Sequence, residues 1–488
     1  MHDTSLGLYT AFKSKDVRFD GHFFVGVSST GIYCRPICRA KLPKPEHCHY
    51  YPTAAAAEVA GYRPCLLCRP ELAPGAPIPD ATTSLVHRAA HLLEENCGST
   101  QRIAELAAHL GCTDRHLRRA FAAQYHVSPV QYLQTCRLLL AKSLLTDTDL
   151  SVLDVAMAAG FGSLRRFNAL FRDRYQLSPT ALRRQTAQEC ASQSDITLAL
   201  GYRPPYPWNQ MLDFLRNRAI AGVERIESEC YSRTVRLVTA DHKPVCGWVR
   251  VSHSPGKNIL RVTLSASLLP VLPQVLARVR HLFDLNCDPD AIYEILSSMN
   301  DIRPGLCTLG TRLPGCFDPF ELTVRAVLGQ QITVKAASTL ASRLVSAHGT
   351  PIRTGIVGLT HLFPSPADIL ALGDGIGDHL GPLGITSIRA HTIASLAQMF
   401  DGAKIRFDPA AMPEIEGKKL MAIRGIGSWT ANYIVMRTMA WPDAFLETDA
   451  AIRKALAPRS PKEMLQLAEG WRPWRSYATI NLWNSLQE

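Results

Sequence analysis

The sequence of 488 residues has no apolar run approaching the about 18 residues that a membrane-spanning helix needs. Its opening stretch, MHDTSLGLYTAFKSKDVRFDG, lacks the apolar segment of a secretory signal, so a cytoplasmic protein with no membrane partner is expected. Acidic residues are in deficit, 42 Asp and Glu against 53 Lys and Arg, and the net charge of +11 favours a polyanionic partner, nucleic acid first. No cysteine follows Cys316, although the chain has 14. In a reducing compartment those thiols argue for metal ligation rather than disulfides. At this length and 47% hydrophobic content, three or four domains are expected.

Cys34 and Cys38 in TGIYCRPICRA, with Cys65 and Cys68 in RPCLLCRP, form two close pairs. Four thiolates so spaced suit a tetrahedral zinc, which in a small domain poor in aliphatic residues carries much of the folding free energy. His47 and His49 in HCH offer competing ligands. Arg35, Arg39, Arg63 and Arg69 flank the cysteines, as if to meet phosphates. PELAPGAPIPDAT, residues 70–82, with four prolines, reads as an extended linker, and QTAQECASQSD, residues 185–195, as a second, polar seam.

The middle of the chain repeats itself. IAELAAHLGCTDRHLRRAFAAQYHVSP at 103–129 returns as VLDVAMAAGFGSLRRFNALFRDRYQLSP at 152–179, with Gly111 answering Gly160. Each copy is a short helix, a glycine turn and a longer amphipathic helix, the helix-turn-helix layout. Arg115, Arg118 and Arg119 share one face of the first candidate recognition helix, and Arg165 and Arg166 open the second. Solvated hairpins with ordinary surface arginines are the plain alternative, against which the tandem repeat argues.

Beyond residue 195, TVRLVTA, PVCGWVRVS and NILRVTLSAS alternate as antiparallel strands, and from about residue 273 the periodicity is helical. In AIRGIGSWTANYIVMR, Gly425 and Gly427 join two helices and let backbone N–H groups approach a phosphate at a helix N-terminus. Asp449 in FLETDAAIRK reads locally as the N-cap of the following helix.

These residues carry three resemblances. FFVGVSSTGIYCRPICRAK with GYRPCLLCRP resembles the N-terminal domain of Ada-type proteins, which implies one zinc and a methyl-accepting thiolate at Cys34. Because the Pro-Cys-His-Arg site of a typical Ada C-terminal half is missing, repair of methylated guanine oxygens is not expected. The repeat resembles the double helix-turn-helix of AraC-type activators. From about Ile196, YRPPYPWNQMLDFL, LPGCFDPFELTVRAVLGQQIT, GIGSWTANY, FLETDAAI and WRPWRSYATINLW resemble the AlkA type of helix-hairpin-helix DNA glycosylases. That resemblance implies a catalytic Asp449, an aromatic base pocket of Phe214, Trp429, Tyr433 and Trp483, and a monovalent cation at the hairpin. Gln331 stands where the family has an intercalating leucine, and Arg424 where it has a proline. Trp429 replaces the Schiff-base lysine of lyase members, and no cysteines remain for an iron–sulfur cluster.

The expected fold is multidomain α+β: a zinc module (1–78), a tandem helix-turn-helix domain (84–184), a small antiparallel-sheet α+β domain (195–285) and an all-α glycosylase domain (286–488). The expected function is excision of alkylated bases, coupled to methyl acceptance and transcription activation. Its partners would be alkylated and promoter double-stranded DNA and, for an activator, RNA polymerase, with the protein a monomer on the bacterial nucleoid. The rival is a regulator whose C-terminal half binds DNA without catalysis.

Overall fold

The computed structural model describes residues 2–75, 85–99, 102–186 and 195–486. The proline-rich stretch lies outside the described residues from 76 onward, and the polar seam from 187 to 194. Strands β1 (Phe24–Val27), β2 (Ile32–Cys34), β3 (Cys48–Tyr51) and β4 (Arg63–Pro64) form a sheet in the order β3-β1-β2-β4. β2 and β4 run parallel with Tyr33 opposite Pro64, so the residues that follow, Cys34 and Cys65, leave the sheet as neighbours. The core beneath is small: Phe12, Phe23 and Val25, with the cysteines themselves. Helix α1 (Ala54–Val59), capped by Thr53, covers the other face and buries Tyr33.

The helical middle comprises α2 (Leu85–Glu95), α3 (Ile103–His109), α4 (Asp114–Tyr125), α5 (Pro129–Asp147), α6 (Val152–Ala158), α7 (Leu164–Tyr175) and α8 (Pro179–Thr186). The repeat is written in the backbone. Gly111 and Gly160 turn between the paired helices at φ of 72° and 82°, a conformation glycine adopts without strain. His126 and Gln176 end the longer helices in the left-handed region, and Thr113 and Ser163 cap their starts.

The segment after Cys68 is no free linker. Glu71 is buried against Lys142 of α5 at 2.5 Å, their side chains 2% and 1% exposed, and Arg69 bridges Glu71 and Asp147. An extended reading of residues 70–75 is thereby corrected, since a buried ion pair requires both partners to be held in place. Glu58 of α1 is buried at the same interface, accepting from Tyr33 (3.1 Å), Tyr175 (3.3 Å) and Thr135 (2.8 Å). Burial pushes its carboxyl up to about 7 despite those bonds.

Strands β5 (Ile196–Gly201), β6 (Glu224–Glu227), β7 (Cys230–Val238), β8 (Pro244–Ser254) and β9 (Ile259–Leu264) make an antiparallel sheet in the order β5-β9-β8-β7-β6, backed by α9 (Leu272–Leu282). Its hydrophobic core is continuous with that of the second helix-turn-helix unit. The last part is helical and has two cores, with Tyr433 packed against both. Arg233 of the sheet pairs with Glu321 at 2.6 Å on α10 (Pro319–Leu328), and Arg325 reaches back to Glu224 at 3.0 Å, stapling sheet to helices. No helix among the described residues is long and apolar enough to cross a membrane.

Candidate active site and metal centre

The C-terminal site grows from one helical hairpin, α11 (Pro413–Met421) and α12 (Ser428–Thr438). Gly425 holds the connecting loop at φ +95°, and a Cβ there would lie 2.5 Å from Thr392 Oγ1, so only glycine fits. Gly427 is different: its φ is −91° and a Cβ would meet nothing within 4 Å. Space is left open there at the start of α12.

Trp429 and Tyr433, one turn apart on α12, stack with ring centroids at 5.3 Å and planes 6° apart, and Trp483 on α14 (Arg475–Asn484) lies 6.3 Å from Tyr433. Asp449 caps α13 (Ala450–Ala455), its Oδ1 accepting from the backbones of Ala451 and Ile452. Trp483 Nε1 also donates to Oδ1, and Trp429 Nε1 to Oδ2, each at 3.1 Å. The helix cap and the indole cradle therefore belong to the same carboxylate, which is held facing the aromatic pair rather than turned away.

Phe214 does not present the free face expected of it. Its ring is 5% exposed and is covered by the Arg218 guanidinium at 3.7 Å, with Arg437 at 4.9 Å. It forms the back of the site, because Arg218 and Arg437 reach the position first. Arg437 donates to Tyr433 Oη at 2.7 Å and to the carbonyls of Pro314 and Gly315. Burial alone would raise the Tyr433 phenol, but the guanidiniums of Arg437, Arg218 and Arg325 outweigh it and hold the phenol below its ordinary range. Neither arginine stood out in the sequence, where Arg218 follows the end of one helix and Arg437 reads as one more polar position on another.

Gln331 is exposed at the tip of a tight turn, in the left-handed region at φ 56°. Its neighbour Gln330 ties that turn to the hairpin, donating to Gly425 O (2.8 Å) and Thr430 Oγ1 (3.1 Å). Hairpin loop, turn tip and carboxylate are thus all fastened to the first turn of α12.

In the N-terminal module the sulfurs of Cys34, Cys38, Cys65 and Cys68 lie within 4.8 Å of one another, and neither His47 nor His49 joins them. Four converging sulfurs fit a tetrahedral zinc. The backbone N–H of Arg35 reaches the Cys68 sulfur at 3.4 Å. Arg35 needs correction as a phosphate contact. It is buried, clamped by Asp20 through two hydrogen bonds and donating to Cys68 O at 3.1 Å. Arg69 is likewise committed to Glu71 and Asp147, whereas Arg39 is exposed. Arg115, Arg118, Arg119, Arg165 and Arg166 are all exposed, with Arg118 in a helical pair with Asp114.

Three family models match separate stretches of the chain. Residues 7–71 match the metal binding domain of Ada, 106–185 a helix-turn-helix domain, and 197–318 the AlkA N-terminal domain. A Mycobacterium tuberculosis protein named probable bifunctional transcriptional activator/DNA repair enzyme AlkA is 36% identical over 496 residues, covering 100% of this chain and 97% of its own. The chain belongs to that family. DNA-3-methyladenine glycosylase 2 of Escherichia coli is 34% identical over 284 residues, 58% of this chain and 95% of that one. Bifunctional transcriptional activator/DNA repair enzyme AdaA of Bacillus subtilis is 27% identical over 181 residues, 37% of this chain and 83% of that one.

Proposed function

We propose that the chain excises alkylated bases of the 3-methyladenine type from duplex DNA, and that its N-terminal half accepts a methyl group from DNA and activates transcription. The observation that carries the first part is the Asp449 carboxylate, held by two indole N–H groups beside the stacked Trp429–Tyr433 pair. A flipped nucleotide would set its base against those rings, whose faces attract the cation that alkylation creates. Asp449 stabilises the positive charge that develops on the sugar as the N-glycosidic bond breaks and its electron pair leaves with the base. A water oriented by the same carboxylate then bonds to the sugar carbon and passes its proton to that carboxylate, which returns it to solvent. A cationic base leaves readily, so no strong general acid is needed. Trp429 has no amine for a Schiff base, and the product is an intact abasic site. Gly425 and Gly427 would bring backbone N–H groups to a phosphate, with a monovalent cation at the same loop, and Gln331 would fill the gap left in the stack.

At the metal centre, zinc held by the four cysteines would keep their sulfurs deprotonated at neutral pH. The Cys34 sulfur attacks the methyl carbon of a methylated DNA phosphate; a C–S bond forms, the C–O bond breaks, and the electron pair leaves on the phosphate oxygen. Each chain reacts once. The Arg35 backbone N–H donates to the Cys68 sulfur and draws electron density from it, so Cys68, although more exposed than Cys34, is the weaker nucleophile of the two. Arg39, exposed, and Arg63, half-buried, are the flanking arginines left to meet a phosphate, and the two repeat helices the elements left to read promoter DNA. RNA polymerase would be the partner in activation, with the protein monomeric on the nucleoid.

The test is incubation of the purified, zinc-loaded chain with methylated duplex DNA. Free methylated purine, abasic sites without strand cleavage, no borohydride-trapped adduct and a methyl group on Cys34 by mass spectrometry are expected. DNA binding without base release would instead leave a regulator with no catalytic half.

A further inference from the structure

A cavity of about 490 Å³ lies where the metal module, the first helix-turn-helix unit and the sheet domain meet. Phe24, Leu140, Leu198 and Leu276 supply apolar wall from all three modules. Three charged side chains line the same space, Arg280 on α9, Glu94 on α2 and Glu71, the last committed to Lys142 and Arg69.

Arg280 is the anomaly. Other arginines of this region find acceptors: Arg278 donates to Phe317 O (2.6 Å), Arg203 to Asn286 O (3.0 Å) and Gly75 O (2.8 Å), and Arg312 to Pro205 O (3.0 Å). Arg280 has neither a hydrogen bond nor an ion pair among the described residues, although burial opposes its charge. Glu94 draws on it only at a distance and is itself engaged by the Tyr132 hydroxyl at 2.5 Å. A guanidinium in a largely apolar chamber without an acceptor is costly, because its desolvation is not offset by any bond. The fold that gives carbonyls to its neighbours leaves this one donor set facing a void of ligand size.

We propose that this junction cavity binds a small organic anion with an apolar body, its anionic group on the Arg280 guanidinium. Arginine's planar fork suits a carboxylate, sulfonate or phosphate, and the leucine and phenylalanine walls suit the remainder of such a molecule. Because the walls come from three modules, the occupant would favour their docked arrangement and so couple a metabolite to the repair chain. The inference is independent of the catalytic reading, since neither Asp449 nor the cysteine centre lines the cavity.

The experiment uses the full-length, zinc-loaded protein and two fluorescent probes: anilinonaphthalene sulfonate, and phenylnaphthylamine, which has the same rings without the sulfonate. Each is expected to bind at one saturable site per chain. Arg280→Met should weaken the sulfonate probe by about tenfold or more and the neutral probe by less than about twofold, the latter also reporting that the cavity is intact. Arg280→Lys, which keeps the charge, should retain most of the sulfonate affinity, and Leu140→Trp, which fills the cavity, should remove both probes. Absence of a saturable site, or sulfonate binding unchanged in Arg280→Met, would overturn the proposal.

Discussion

Asp449 is bound four times over, by two backbone N–H groups and two indoles, and each tryptophan bond fixes a different oxygen. A hydrogen bond to a charged group is worth about 1.5–3 kcal/mol, and here it sets the direction of the carboxylate as well as its energy. Trp483→Phe keeps the aromatic wall and removes one donor. Single-turnover base release should slow by about tenfold or more while the thermal midpoint stays within a few degrees of wild type. An unchanged rate would mean that Trp483 packs the site without orienting Asp449. The aspartate and its tryptophans were legible because they sit inside contiguous motifs whose chemistry is local. Phe214 and Arg35 misled because residue type says nothing of the partner that arrives from elsewhere, Arg218 over the one and Asp20 onto the other. Arg437 was invisible for the same reason: its acceptors at Pro314 and Gly315 lie more than a hundred residues away.

The hairpin and the repeat were readable as elements, since glycine turns and helical periodicity are short-range signals. Strands β5 and β6 at the two sheet edges were not singled out. β6 has only four residues, and Glu224 and Arg225 within it look like surface charge, although Glu224 is buried against Arg325. Within the hairpin the two glycines should separate stability from binding. Gly425→Ala forces a left-handed residue against Thr392 and should cost about 1–3 kcal/mol of stability. Gly427→Ala meets no protein atom, so its melting curve should match wild type while affinity for duplex DNA falls, the methyl occupying the space proposed for a phosphate. Normal DNA binding by a stable Gly427→Ala variant would contradict the phosphate role. The tethered turn bearing Gln331 makes a parallel case. Gln331→Ala should slow excision from duplex DNA by about tenfold and leave single-stranded substrate nearly unaffected, because only the duplex has a stack to refill.

At the scale of the whole molecule, residues 70–75 changed the picture most, since prolines suggested a tether and the structure shows a docked segment fixed by Glu71, Lys142 and Arg69. Glu58 gives that docking a pH dependence. Its folded-state value of about 7 lies above the ordinary 4.5, so its contribution is fully present below the ordinary value and is lost as pH rises through 7. With zinc kept saturating between about pH 6 and 8, roughly 1 kcal/mol of stability should disappear in wild type and be missing from the slope of Glu58→Gln. Parallel slopes in the two proteins would remove Glu58 from the interface account. Tyr33, whose hydroxyl bonds Glu58, directly precedes Cys34, so the methyl transfer proposed at Cys34 would take place within one residue of the joint between the metal module and the repeat. Capping one thiolate changes the formal charge of a four-cysteine zinc centre from about −2 to about −1, and promoter affinity should rise by about tenfold at low salt, an effect absent in Cys34→Ser. The measurement that bears most directly on the central claim is single-turnover release of 3-methyladenine from duplex DNA by wild type and by Asp449→Asn, with duplex affinity recorded alongside. The account predicts release by wild type and a loss of about a thousandfold or more in a variant that still binds DNA, because the amide keeps the shape and loses the charge. Comparable release by both proteins would contradict it.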